Sequence, residues 1–130
     1  METRKILLVD DELKICSTLK KILESDNYTV ETAYNGLDGW EKFRKFSPDC
    51  VLLDMRLPGK NGFELLKQIK SHRPKIHVLV TTAVIDESIM SLCMRAGARD
   101  YLVKPLNIPK LLEKVHHLLD DPLNQKSLPA

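Results

Sequence analysis

The sequence predicts a doubly wound α/β domain, a parallel sheet with helices on both faces, on three observations. Four short apolar runs, Ile6-Leu7-Leu8-Val9, Val51-Leu52-Leu53, Val78-Leu79-Val80 and Tyr101-Leu102-Val103, lack the alternation of a one-sided sheet and read as strands buried on both faces. Between them lie segments of helical period, and a repeating strand-helix order builds right-handed parallel units. Each run also ends in polar residues: Asp10-Asp11 after the first, Asp54 after the second, Thr81-Thr82 after the third and Lys104 after the fourth. Ligands bind outside the carboxyl ends of such strands, so these side chains are expected along one edge.

The first strand leads into a helix over about 11–25, with Ile15, Leu19, Ile22 and Leu23 on one face and Lys14, Lys20 and Lys21 facing outward; Asp26-Asn27 stops it. The second strand, about Tyr28–Ala33, alternates Tyr28, Val30 and Thr32 with Thr29, Glu31 and Ala33, a half-exposed pattern that suits a sheet edge. In the flavodoxin-like strand order 2-1-3-4-5 the second strand is at an edge, so pattern and topology agree on a (βα)5 three-layer sandwich. Asn35-Gly36 opens a helix over about 37–46 carrying Leu37, Trp40, Phe43 and Phe46, and Pro48 ends it. After Asp54 comes the turn-rich Leu57-Pro58-Gly59-Lys60-Asn61-Gly62, in which Asn61, with Glu64 three residues on, has the spacing of a helix cap. The helix that follows, about 63–72, buries Phe63, Leu66 and Ile69. Asp86 caps a helix over about 87–96 with Ile89, Met90, Cys93 and Met94 as its inner face and Gly97 as its stop, so Met90 and Met94 count as core. The last helix starts from Asn107 as N-cap, tolerates Pro109 in its first turn, and aligns Ile108, Leu111, Leu112, Val115, Leu118 and Leu119 in one stripe. Residues 1–120 form one domain. Residues 121–130, with two prolines and little periodicity, read as a disordered tail or the start of a truncated linker.

A chain of 130 residues, 43% hydrophobic, suits one layered domain and is too short for two of ordinary size. The formal net charge of +2 comes from 20 basic and 18 acidic residues spread along the chain, so no patch suggests direct nucleic-acid binding. Cys16, Cys50 and Cys93 sit in apolar stretches without C-x-x-C spacing, which points to buried free thiols in a reducing compartment. The N-terminal residues run straight into a strand with no apolar segment suited to a signal peptide or membrane span, which predicts a cytoplasmic protein with no membrane contact. His72, His77, His116 and His117 lack metal-ligand spacing or a partnered nucleophile and read as surface or packing residues.

Asp10, Asp11 and Asp54, gathered within about 4–6 Å, would repel pairwise by roughly 3–4 kcal/mol at an effective dielectric near 20. A hard divalent cation relieves that strain, and a site of one or two carboxylates completed by water and phosphate oxygens suits Mg2+ better than a calcium cage. Three carboxylates and the Lys104 ammonium leave a double negative charge for Mg2+ to neutralise. Aspartate is also a nucleophile toward phosphorus. Asp54, alone at the end of the central run, is the candidate acceptor, while Asp10-Asp11 is placed to hold the metal. Metal and Lys104 would offset charge on the transferring phosphoryl group, and the Thr82 hydroxyl could bind one of its oxygens. Taken alone, Asp10-Asp11 would serve equally well as a cap for the first helix.

Val9-Asp10-Asp11, Asp54-x-x-Leu57-Pro58-x-x-x-Gly62, Thr82-Ala83 and Lys104-Pro105, in that order over about residues 4–120, resemble the receiver domain of two-component response regulators. Each motif is common by chance; four in register at strand ends are specific. The resemblance implies Mg2+-dependent phosphoryl transfer to Asp54 from a sensor histidine kinase or a histidine phosphotransfer protein. It implies that Asp11 and Asp54 ligate the metal directly, that Asp10 acts mostly through water, and that the backbone carbonyl of Arg56 supplies a further ligand. Thr82 and Lys104 complete the catalytic set; Thr82 is preferred to Thr81 because the family's hydroxyl precedes a small residue, here Ala83. Tyr101 resembles the family's switch aromatic: phosphorylation draws Thr82 and Lys104 toward the new oxygens, the loop after the fourth strand moves, and Tyr101 fills the vacated space. The face built from the fourth helix, fifth strand and fifth helix would carry the signal to an effector domain, a downstream target protein or a second copy in a phosphorylation-dependent homodimer. A cis Lys104-Pro105 bond is also implied.

Arg56 and Val84 depart from the commoner pattern of the family and flank the expected path of hydrolytic water; an apolar Val84 cannot orient that water, which implies a long-lived phosphoryl-Asp54. The alternative function is a Mg2+-dependent phosphohydrolase with an aspartate nucleophile, of haloacid-dehalogenase type. That chemistry normally places a second acid two residues after the nucleophile, where Arg56 stands. A flavin-binding module would need a polar phosphate loop after the first strand, and Asp10-Asp11 would repel phosphate there. The sequence therefore reads as a phosphorylation-controlled switch with self-catalysed transfer and dephosphorylation. No helix-turn-helix, ATPase or cyclase pattern follows residue 120, so the chain is expected to be a stand-alone relay or a receiver joined to a missing output.

Overall fold

Continuous apolar runs demand cover on both faces, and the computed structural model, which describes residues 3–120, provides it. Five strands, β1 (Lys5–Val9), β2 (Thr29–Ala33), β3 (Cys50–Asp54), β4 (His77–Thr82) and β5 (Asp100–Val103), alternate with five helices, α1 (Leu13–Ser25), α2 (Gly36–Phe46), α3 (Gly62–His72), α4 (Glu87–Arg95) and α5 (Ile108–Leu119). All strand pairs are parallel, in the predicted order β2-β1-β3-β4-β5. Every residue of β3 and β4 is buried.

Successive side chains of these strands alternate between two cores. Leu7, Val9, Val51, Leu53, Val78 and Val80 pack with Phe43, Leu65, Leu66 and Ile69 of α2 and α3 and with Cys93 of α4. Ile6, Leu8, Leu52 and Leu79 pack with Leu19 and Leu23 of α1 and with Leu111, Val115 and Leu118 of α5. Each buried aliphatic side chain contributes about 1.5–3 kcal/mol, so the two-sided central strands anchor the sheet that carries the site. At the edge, β2 exposes Thr29 and Glu31 and buries Val30 and Ala33.

Four helices start on side-chain caps, three of them at the predicted Asn61, Asp86 and Asn107 and one at Asn35, where the sequence places the opening of a helix. Asn35 accepts from the Asp38 N–H, Asn61 from Glu64, Asp86 from Ser88 and Ile89, and Asn107 from Lys110. Helix α1 is different: its N-cap residue is Glu12, with no side-chain cap bond, so the acidic residues before it are not spent as a cap.

The inner faces of the helices need correction at several positions. Ile89 and Met94 are exposed, and on α4 only Cys93 is fully buried, because this short helix covers the β4–β5 margin where β5 has four residues. Met94 is therefore surface, not core, and Met90 is only partly buried against the core. Leu37 is likewise exposed, at the first turn of α2 and clear of the sheet. On α3, Leu65 is fully buried and Phe63 only partly. The three thiols are buried and free, and Lys104-Pro105 is cis. Among the described residues no helix is long and apolar enough to cross a membrane. The expected tail, 121–130, lies outside the described residues.

Candidate functional site

Parallel strands bring their carboxyl ends to one edge, and register sets the order of the polar residues there. Asp54 lies beside Thr81 across the β3–β4 pair, Thr82 beside Val103 across β4–β5, and the Lys104 N–H donates to the Thr82 carbonyl at 2.7 Å. The ammonium of Lys104 sits at the centre. Its Nζ is 2.9 Å from Asp10 Oδ2, 3.0 Å from Asp54 Oδ2 and 3.0 Å from Glu12 Oε1. The second oxygen of each buried aspartate is held by backbone: Asp10 Oδ1 accepts from the Glu12 N–H at 2.8 Å, and Asp54 Oδ1 from the Arg56 N–H at 3.0 Å.

Asp54 is 4% exposed and Asp10 7%. Burial raises the pKa of the Asp54 carboxyl and the Asp10 charge adds to it, against the pull of the Arg56 N–H and the Lys104 ammonium. For Lys104 burial works against the charged form, but hydrogen bonds to Asp10, Asp54 and Glu12 outweigh it and hold the pKa above the ordinary lysine range. Lys104 is thus a fixed cation beside a buried carboxylate.

The close carboxylate cluster is not the predicted one. Asp10, Glu12 and Asp54 each offer an oxygen within 4.8 Å of the others, whereas Asp11 is exposed and outside that cluster. Glu12 was missed because a turn sets its place: the chain bends at Asp11, the Glu12 N–H reaches back to Asp10 Oδ1 at 2.8 Å, and the Glu12 side chain comes to lie beside Lys104. The donor chemistry, hard carboxylate oxygens at a strand edge, suits a hard divalent cation.

Thr82 and Tyr101 are both buried and meet at one residue. The Thr82 hydroxyl accepts from the Val84 N–H at 3.2 Å, and the Tyr101 hydroxyl donates to the Val84 carbonyl at 3.3 Å. Tyr101 is 8% exposed, so its ring already faces inward. Arg56 is exposed, and it is its N–H that touches Asp54. Gly62, the last residue of the Leu57-Pro58 motif, opens α3 against the end of β3. Its N–H donates to the Met55 carbonyl, and a Cβ there would collide with the Asp54 carbonyl oxygen and lie 2.6 Å from Met55 Cα. The motif therefore lets a helix start directly against the backbone of Asp54.

Known proteins are similar to this chain in both sequence and fold. The chain matches the response regulator receiver domain over residues 6–116. It is 42% identical over 106 residues to the transcriptional regulatory protein ZraR of Klebsiella oxytoca, a match that covers 82% of this chain and 24% of that protein. The chain thus spans about a quarter of the ZraR length. It is 33% identical over 118 residues to the chemotaxis protein CheY of Treponema pallidum, covering 88% of this chain and 82% of that one. The crystal structure of a CheY-like receiver from Methanospirillum hungatei JF-1 is similar with a TM-score of 0.90 at 32% identity, over 95% of this chain and 99% of that one. The chain belongs to the receiver-domain family of two-component response regulators, whose members are signalling switches.

Proposed function

We propose that this receiver takes its phosphoryl group on Asp54, from a phosphohistidine of a sensor histidine kinase or histidine phosphotransfer protein. The observation that carries this is a buried aspartate at a strand end with an ammonium 3.0 Å from its Oδ2. An Asp54 carboxylate oxygen attacks phosphorus, the P–N bond to the donor imidazole breaks, and the electron pair stays on the imidazole nitrogen. Lys104 neutralises charge on the arriving phosphoryl oxygens, and the Thr82 hydroxyl, buried at the same edge, donates to one of them. Dephosphorylation uses the same site, with water as the attacking group. Asp54 and the exposed Asp11 would hold Mg2+ directly, Asp10 through water, and the Arg56 carbonyl would complete the set. When bound, Mg2+ offsets negative charge on the transferring group.

The switch follows from the shared partner of Thr82 and Tyr101. Turning the Thr82 hydroxyl toward a phosphoryl oxygen gives up its bond to the Val84 N–H, so the loop after β4 shifts and the Tyr101 contact shifts with it. A change of a few kcal/mol between the two arrangements moves the population. The α4–β5–α5 face then meets an effector domain, a downstream target or a second phosphorylated copy, and α4 leaves the apolar Ile89, Leu92 and Met94 exposed. The buried free thiols suit a cytoplasmic setting.

Incubation with acetyl phosphate and Mg2+, read by intact mass, tests the reading. One added phosphoryl group is expected, and Asp54→Asn is expected to abolish it. Continuous phosphate release without a stable adduct would instead identify the Mg2+-dependent phosphohydrolase.

A further inference from the structure

We propose that Glu12 is the exchangeable ligand of Lys104: it holds the ammonium in the unphosphorylated receiver and gives up its place to a phosphoryl oxygen, so that it opposes phosphorylation. This rests on the reading of Asp54 as the acceptor. A lysine ammonium has three N–H donors and accepts nothing. In this structure Asp10, Asp54 and Glu12 take one each, at 2.9, 3.0 and 3.0 Å. A phosphoryl oxygen can therefore reach Nζ only when one carboxylate lets go.

The three are not equivalent. The side chains of Asp10 and Asp54 are 10% and 6% exposed, and the other oxygen of each is fixed by a backbone N–H. Releasing Asp10 would strand a buried charge without its partner, which is strongly unfavourable. Asp54 is the acceptor itself and stays beside its own phosphoryl group. The Glu12 side chain is 56% exposed, and on release its carboxylate returns to water at the small cost of an exposed ion pair. A phosphoryl group on Asp54 also brings further negative charge toward the Glu12 carboxylate, which already stands within 4.8 Å of the Asp54 carboxylate. Attraction to Lys104 and repulsion from the new group oppose each other, and Glu12 is the member free to move. Glu12 is thus a positioning residue that acts through Lys104.

Glu12→Gln keeps the shape and removes the charge. In the full chain with Mg2+ saturating, as checked by calorimetry on each protein, the variant is expected to bind beryllofluoride roughly two- to fivefold more tightly than wild type, the range for an exposed ion pair. Half-maximal phosphorylation should shift by the same factor toward lower acetyl phosphate. The Lys104 side-chain nitrogen resonance should differ between wild type and variant in the free proteins and coincide in their beryllofluoride complexes. Structural damage would weaken binding and cannot produce a gain. Equal or weaker beryllofluoride binding by the variant, or a Lys104 resonance that still differs in the complexes, overturns the proposal; weaker binding at saturating Mg2+ would place Glu12 among groups that help hold the metal. If the wild-type chain itself takes up no phosphoryl group on Asp54, the receiver reading fails. If it does and the variant merely matches it, only the role of Glu12 fails.

Discussion

Val84 shows how much one residue can carry through its backbone while its side chain contributes nothing polar. Its N–H is bound by Thr82 and its carbonyl by Tyr101, and the isopropyl group stands exposed beside the site. An apolar group there cannot orient a water for attack on a phosphoryl-aspartate, whereas a carboxylate could align one and take its proton. Val84→Glu is therefore expected to shorten the life of phosphoryl-Asp54 by roughly tenfold, below the full range of general-base catalysis because the new group is exposed. Intact mass followed over time after removal of acetyl phosphate measures it, and an unchanged decay would remove Val84 from the account. Asp10, Asp54 and Lys104 were legible because each follows an apolar run, but the exchange of Asp11 for Glu12 in the close cluster depends on how the chain leaves β1.

Among the elements, capping was the most legible feature: Asn61, Asp86 and Asn107 all cap as predicted, and Asn35 caps the helix that Asn35-Gly36 opens. A cap bond is local, so sequence distance determines it. Depth of burial is not local. Helical period correctly groups Ile89, Met90, Cys93 and Met94 as neighbours, yet only Cys93 is covered, because coverage depends on how much sheet lies beneath α4. The start of α3 yields a prediction of its own. Gly62→Ala places a methyl group against the backbone of Asp54 and Met55, neither of which can swing aside as a side chain would. A loss of about 1–3 kcal/mol is expected, as for other overpacked sites. Gly59→Ala, at φ 76° with open space around it, is expected to cost only about 1 kcal/mol of backbone strain. Urea unfolding of both variants separates a close contact from a turn conformation.

Across the whole molecule, stability should carry an acid limit set far from the site. His77 opens β4 with 4% exposure, and its Nδ1 has no hydrogen-bond partner. Burial, helped by the charges of Arg99 and Lys70 and opposed by Asp49, lowers its pKa to about 4. The unfolded chain takes up a proton near pH 6.5 and the folded chain only near 4. Stability is therefore full above pH 6.5 and falls as pH drops toward 4, by about 3 kcal/mol from this residue. Denaturation of wild type and His77→Phe at several pH values should show the wild type losing that extra increment; parallel curves would show that His77 does not titrate as its burial requires.

By itself the sequence determined the strand-helix order, the caps and which polar residues stand at the strand ends, because hydrophobic period and turn chemistry act over a few residues. Tertiary structure alone decided which carboxylates share the Lys104 ammonium, that Thr82 and Tyr101 grip the same residue, and how little of α4 is covered. Those facts depend on the parallel register and on how each chain segment leaves its strand; the Lys104 contacts alone join residues 50 to 94 positions apart. No pattern of near neighbours encodes such distances, and the site exists only where the sheet edge brings them together.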